Sequence, residues 1–283
     1  MKKTRLFVYC LLVVFAALGT TVQQAHGAEK TAQRIVSLGP DMTEQLFLLG
    51  EERRLVGRTS YCIHPPAAEK IPAVASSVEV NLEKVVGLRP DVVLTTPLTP
   101  KRYTRALEEF GIRVMLFPMP RNFEDLCHSF LRLATLVGKE KEAGRMVAEA
   151  RQRVTRLSAK VAGQPRPKVF VQVGAKPLFT MSGGTFVHDY IRLAGGENVG
   201  ADSGVGYFDY ETVLQRNPDI ILIVLMGIQG ERERKKWLEF PSLGAVKNNR
   251  IYIVDAYKIC SPTPRSFVPM LEHLIELFHP GVE

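Results

Sequence analysis

A chain of 283 residues in which 46% are hydrophobic and 23% charged has ample apolar material for a core, which excludes a disordered or collagen-like polymer. The formal net charge is +8, but Lys2, Lys3 and Arg5 lie within the first 27 residues, and beyond them the excess falls to +5. That remainder is spread along the chain with no run long enough for a nucleic-acid arm, so no nucleic-acid partner is expected.

The chain opens on a positive stretch, Met1-Lys-Lys-Thr-Arg5, followed by an apolar run of 13 residues, Leu6 to Leu18. Polar residues follow, then Ala25-His-Gly-Ala28 with small side chains where a signal peptidase reads. This is the pattern of a cleaved leader over residues 1–27, with an exported, soluble product. The apolar run is shorter than the roughly 20 residues that span a bilayer. The product keeps Cys62, Cys127 and Cys260, an odd number that allows one internal disulfide at most. Their spacings match neither a CxxC redox pair nor a zinc knuckle, and Cys127 sits in a helical pattern with apolar neighbours, as a buried thiol would.

In chain order, apolar patterning predicts strand 34–38, helix 42–49 and strand 55–59, then a short helix and strand over 81–94, helix 101–110, strand 113–117 and helix 123–137. A long helix is expected over 139–162. Beyond it come strand 168–173, helix 185–193, a second short helix and strand over 209–222, helix 231–237, strand 250–254 and helix 265–278. The two short helix–strand units are copies. At a constant offset of 128 residues Glu83 falls on Glu211, Val85 on Val213, Pro90 on Pro218 and Asp91 on Asp219. In each copy Pro-Asp stops a helix and a β-branched run follows. Strands alternating with helices indicate parallel sheets covered on both faces. The expected organisation is a leader (1–27), an N-terminal α/β lobe (28–138), a bridging helix (139–162) and a C-terminal α/β lobe (163–283). The bridge has no proline, and Met146, Val147, Ala150, Val154, Leu157 and Val161 form one apolar stripe. Such a strut predicts two stiff jaws with little hinge closure.

Arg34-Ile-Val-Ser-Leu-Gly-Pro-Asp-Met-Thr-Glu44, Asn81-Leu-Glu83 with Leu88-Arg-Pro-Asp91, and Gly183-Gly-Thr-Phe186 with Leu193-Ala-Gly-Gly-Glu-Asn-Val199 resemble the motifs of the helical-backbone (class III) periplasmic substrate-binding proteins of ABC importers. The resemblance covers nearly all of the exported chain. It implies two parallel-sheet lobes joined by one long bridging helix, with the ligand cleft between the lobes. It also implies capture of a metal chelate such as cobalamin, haem or a ferric siderophore. The expected partner is an ABC permease with its cytoplasmic ATPase, and the expected state is a periplasmic monomer without a resident cofactor and without catalysis.

In open parallel sheets ligands lie at the carboxyl ends of the strands. The loops leaving those ends supply Tyr61, Cys62, His64, Phe179, Met181, Tyr207, Phe208 and Tyr257 as candidate wall residues, and flat aromatic surfaces with a few polar anchors suit a large planar ligand. The cobalamin-binding branch is the most similar. Ser60-Tyr61 with Pro65-Pro66 resembles its Tyr-Pro-Pro loop, with Cys62, Ile63 and His64 inserted. Phe170 to Thr180 resembles its second-lobe ligand loop, with Phe179 at a contact position, and Asp255 falls where that branch has an aspartate for the corrin amides. No tryptophan stands near Ser77 or Thr96, and the branch's arginine is replaced near Ile259. Cys62 and His64 also raise the idea of a ligand to a chelated metal. The resemblance gives Glu83 and Glu211 a second role beside that of acids at helix starts, that of gripping arginines of the permease. An exported α/β enzyme using a cleft acid (Asp41, Glu44 or Asp255) is the reading different in kind, although no P-loop, HExxH or GxSxG occurs.

Overall fold

The computed structural model describes residues 31–76, 79–204, 206–224 and 229–282. The leader expected over 1–27 lies outside them, as do residues 225–228 of one strand-end loop. The elements of the first lobe are β1 (Ile35–Ser37), α1 (Pro40–Leu48), β2 (Leu55–Thr59), β3 (Ala73–Ala75), α2 (Leu82–Gly87), β4 (Val92–Thr95), α3 (Lys101–Glu109), β5 (Arg113–Leu116) and α4 (Phe123–Val137). Helix α5 (Glu140–Val161) leads into the second lobe. There follow β6 (Lys168–Gln172), β7 (Gly174–Ala175), β8 (Leu178–Phe179), α6 (Phe186–Leu193), β9 (Glu197–Asn198), β10 (Tyr207–Phe208), α7 (Tyr210–Arg216), β11 (Ile220–Ile223), α8 (Gly230–Leu238), α9 (Gly244–Lys247), β12 (Ile251–Ile253), α10 (Ala256–Cys260) and α11 (Pro264–Phe278).

The first sheet has the order β3-β2-β1-β4-β5 and the second β12-β11-β6-β9, both parallel throughout. Their inner strands are buried on both faces, which is why they read as unbroken apolar runs. A small antiparallel sheet, β10-β8-β7, sits beside the second.

The repeated Pro-Asp does the same work in each lobe. Asp91 Oδ2 accepts from the backbone N–H groups of Gln33 (2.7 Å) and Arg34 (2.9 Å), and Asp219 Oδ2 accepts from that of Lys168 (2.8 Å). Each aspartate thereby ties the start of its lobe's first strand to the strand beside it. Ahead of each proline, Arg89 (φ 47°) and Asn217 (φ 44°) adopt left-handed backbone, which ends the helix and turns the chain into the strand. At the start of each copy, Asn81 accepts from Lys84 N (2.9 Å) and Asp209 from Thr212 N (2.7 Å).

Helix α5 is continuous over 22 residues, one residue shorter at each end than the periodicity predicts, and runs about 33 Å at the usual rise. Ala143, Val147, Ala150, Val154 and Val161 bury its stripe against α4 and α11. The main apolar core passes unbroken from the first lobe through this helix into the second, while each sheet's other face has its own core. Trp237 is fully buried and donates through Nε1 to Gln172 Oε1 at 2.6 Å, a packing role consistent with its place in a charged helix. Among the described residues, Cys62, Cys127 and Cys260 are free thiols.

Candidate functional site: the rim between the lobes

In the first sheet the strand order reverses between β1 and β4, the place where open parallel sheets bind ligands at the carboxyl ends of their strands. Gly39 makes the turn after β1 possible. A Cβ there would lie 2.6 Å from Met42 Cε, 2.9 Å from Asp41 Oδ1 and 3.0 Å from Thr96 Cγ2. The missing side chain lets the loops after β1 and β4 approach closely at the strand ends, with Asp41 beside them. Asp41 keeps some accessible surface although protein surrounds it on nearly every side. Burial pushes its carboxyl above the ordinary value, against hydrogen bonds from the backbone of Met42 and of Asp41 itself.

Glu44 stands one helical turn further along α1 and is half-buried. Its partner comes from the other lobe: the Tyr257 hydroxyl donates a short hydrogen bond to Glu44 Oε2. On its ring face Tyr257 meets His64, with ring centroids 3.9 Å apart and planes tilted by 35°. Tyr257 is thus held from two directions by first-lobe side chains. Burial raises the Glu44 carboxyl, an effect opposed by the Tyr257 hydrogen bond and by His64 and reinforced by Asp41. Burial and the neighbouring Glu44 carry the Tyr257 phenol far above its ordinary range.

Cys62 corrects the sequence reading. It is fully buried, with Sγ 3.1 Å from Thr43 Oγ1 and 3.2 Å from Thr59 Oγ1. It lies beneath the wall, holding the β2 loop to α1, and offers no surface to a ligand or a chelated metal. The insertion read as a possible ligand pair is split by its own loop: Cys62 turns into the protein and His64 turns out to Tyr257. Tyr61, Ile63, Leu98 and Met119, from the loops after β2, β4 and β5, are all more than 45% exposed. The last three were not singled out from the sequence, because an isolated apolar residue in a loop carries no periodic signal.

In the second lobe Phe179 lies on a glycine shelf. A Cβ at Gly174 would come within 2.9 Å of Phe179 Cβ, and one at Gly206, whose φ is +79°, within 2.8 Å of its ring. Tyr207 pairs with Phe179 across the antiparallel strands and meets its ring edge-on at 5.2 Å, with 60% of its own surface open. Asp255 is exposed and spends Oδ1 on capping α10, accepting from the N–H groups of Tyr257 (2.8 Å) and Lys258 (3.2 Å). Its most direct service is therefore to aim Tyr257. Met181 and Phe208 are half-buried, packed against the main core and the second lobe's outer core respectively.

Glu83 and Glu211 are exposed in the first turns of α2 and α7. Neither caps its helix, since Asn81 and Asp209 do so, and both carboxylates face solvent. Among the described residues no helix is long and apolar enough to cross a membrane. No group of three or more His, Cys, Asp or Glu among them is placed to hold a metal ion.

Residues 35–257 match the family described as periplasmic binding protein. The chain is 31% identical over 218 residues to the vitamin B12-binding protein of Photorhabdus laumondii, covering 76% of this chain and 77% of that one. It is 30% identical over 212 residues to the protein of the same name from Yersinia pestis, covering 74% and 75%. Among solved structures, the periplasmic vitamin B12-binding protein of Vibrio cholerae superposes with a TM-score of 0.75 at 25% identity, over 87% of this chain and 96% of that one. A periplasmic haem-binding protein of Pseudomonas aeruginosa superposes with a TM-score of 0.80 at 24% identity, over 89% and 94%, a likeness of fold.

Proposed function

The chain belongs to the periplasmic binding protein family, and on that premise we propose that it captures a corrinoid in the cleft between its lobes and hands it to an ABC permease. The observation that carries the reading is the rim itself. Aromatic and apolar side chains from both lobes stand exposed at the strand ends, around a polar contact between Glu44 and Tyr257. Broad apolar surface with few polar anchors is what a large planar ring with a polar fringe requires. The curated relatives named for vitamin B12 favour a corrin as that ring. The protein binds and releases without a covalent step, as an exported monomer freed from its leader, and presents Glu83 and Glu211 to the permease.

A haem or ferric chelate is the second reading, favoured by the meeting of Tyr257 and His64, two side-chain types that ligate iron. One experiment separates them. The chain from Ala28 onward is incubated with cobalamin, haem or a ferric siderophore, desalted and scanned in the visible. Retained corrin bands support the proposal, retention of haem or siderophore alone transfers it to the second reading, and retention of none overturns both.

A further inference from the structure

The contact between Glu44 and Tyr257 joins residues 213 apart in sequence and in different lobes. It is made by one face of a short helix, α1, whose other side chains Met42, Thr43 and Leu46 are buried in the first lobe. Tyr257 reaches it from the second residue of α10, whose start is fixed by Asp255. Both partners are half-buried, and a ligand group that is to reach Glu44 Oε2 must displace the Tyr257 hydroxyl from it. We propose that Tyr257 is a built-in placeholder for the ligand's polar fringe, and that Glu44 thereby selects ligands whose fringe carries N–H or O–H donors over those whose fringe carries carboxylates. The proposal rests on the cleft reading above and extends it to specificity.

When Tyr257 gives way, the half-buried Glu44 loses its donor, and a buried acceptor without a partner is costly. Amides and hydroxyls return a donor; a carboxylate returns a second negative charge. Asp41, Cys62 and His64 act electrostatically on the bridge. Asp41 adds a second acid on the same side, and His64 offers a carboxylate at most one imidazole already covered by the Tyr257 ring. A site so furnished discriminates by leaving the wrong ligand's charge unpaired.

The test uses two ligand pairs that differ only in fringe charge: a dicyano-corrin with all side-chain amides against the same corrin as free acids, and an iron porphyrin diamide against its dicarboxylic acid. Affinities are measured by fluorescence quenching for wild type, Glu44→Gln and Tyr257→Phe, each checked for an unchanged thermal melt. Wild type is expected to prefer the amide member of whichever ring it binds by at least about tenfold. Glu44→Gln, which keeps the shape and one acceptor but removes the charge, is expected to shrink that preference by about tenfold. Tyr257→Phe is expected to speed association of either member while leaving the preference in place. A wild-type preference for the acid form, or a preference unchanged in Glu44→Gln, overturns the inference. Binding of porphyrins alone overturns the corrinoid reading and leaves the inference to be judged on the porphyrin pair, whereas binding of neither ring overturns both.

Discussion

The carboxylate of Asp189, in the second lobe, accepts a 2.8 Å hydrogen bond from the backbone N–H of Phe123, in the first. Phe123 opens α4, so the bond places a negative charge against a helix N-terminus. Arg192 holds the other carboxylate oxygen at 2.6 Å. Around the joint, Phe123 and Phe267 pack at 4.5 Å and Tyr190 stacks on Phe267 at 4.1 Å. This polar joint set in aromatic packing therefore couples the lobes in addition to α5 and the contact of Tyr257 with Glu44 and His64. Asp189→Ala leaves a buried N–H without an acceptor and is expected to cost about 1–3 kcal/mol. Urea unfolding measures that loss. Hydrogen exchange at Phe123 to Leu126 should accelerate at the same time, and no change in either would show that the joint bears no weight.

Asp41 makes stability depend on pH in an uncommon direction. Its folded carboxyl is held above the ordinary value of 3.8 by burial, so the folded state binds its proton more tightly than the unfolded one. The contribution is fully present below pH 3.8 and is lost as pH rises through the raised value. Glu44 shifts in the same sense. Asp41→Asn, which keeps the shape and an acceptor, is therefore expected to melt a few degrees above wild type at about pH 7, with the gap closing as pH falls below the ordinary carboxylate range. Calorimetric scans across that range check it; a gap that widens on acidification would reverse the assignment.

Glu83 and Glu211 offer a clean separation of binding from delivery. With caps supplied by Asn81 and Asp209, removing both glutamates is expected to change stability by less than about 0.5 kcal/mol. The double variant Glu83→Ala, Glu211→Ala should bind its ligand as wild type does and fail to support uptake in cells. Full uptake by this variant would refute docking through these residues.

The thiols should be silent in the folded protein. Burial raises Cys127 to about 12 and Cys260 to about 11, and Cys62 has no accessible surface. Thiolate is the reactive form. The folded chain from Ala28 is expected to leave an aromatic disulfide reagent unreacted at about pH 8, and to titrate all three of Cys62, Cys127 and Cys260 once denatured. Rapid reaction of the folded protein would contradict the burial.

The plan of the fold was legible because it rests on local rules. Alternation of periods marked the sheets and helices, the stripe from Met146 to Val161 marked the bridge, and the repeated Pro-Asp marked two lobes of one design. Strands β7, β8 and β10, each two residues long, left no trace, because Gly174 and Gly206 define them by what they lack rather than by any pattern. The polar centre of the rim was hidden for another reason. Glu44 stood out only as one of three cleft acids because its partner is supplied by the tertiary fold, and Cys62 looked like a wall residue because a loop cysteine gives no sign of which way it turns.

The pairing of strands carries a consequence for how the molecule comes into being. Every strand of the first sheet finds its neighbours between residues 35 and 116, and Asp91 secures the opening strand from within that span. A chain that emerges amino end first therefore has every strand of one sheet available before the strands of the other. The second sheet is built only from residues 168–253, so neither sheet needs a strand from the other half of the chain.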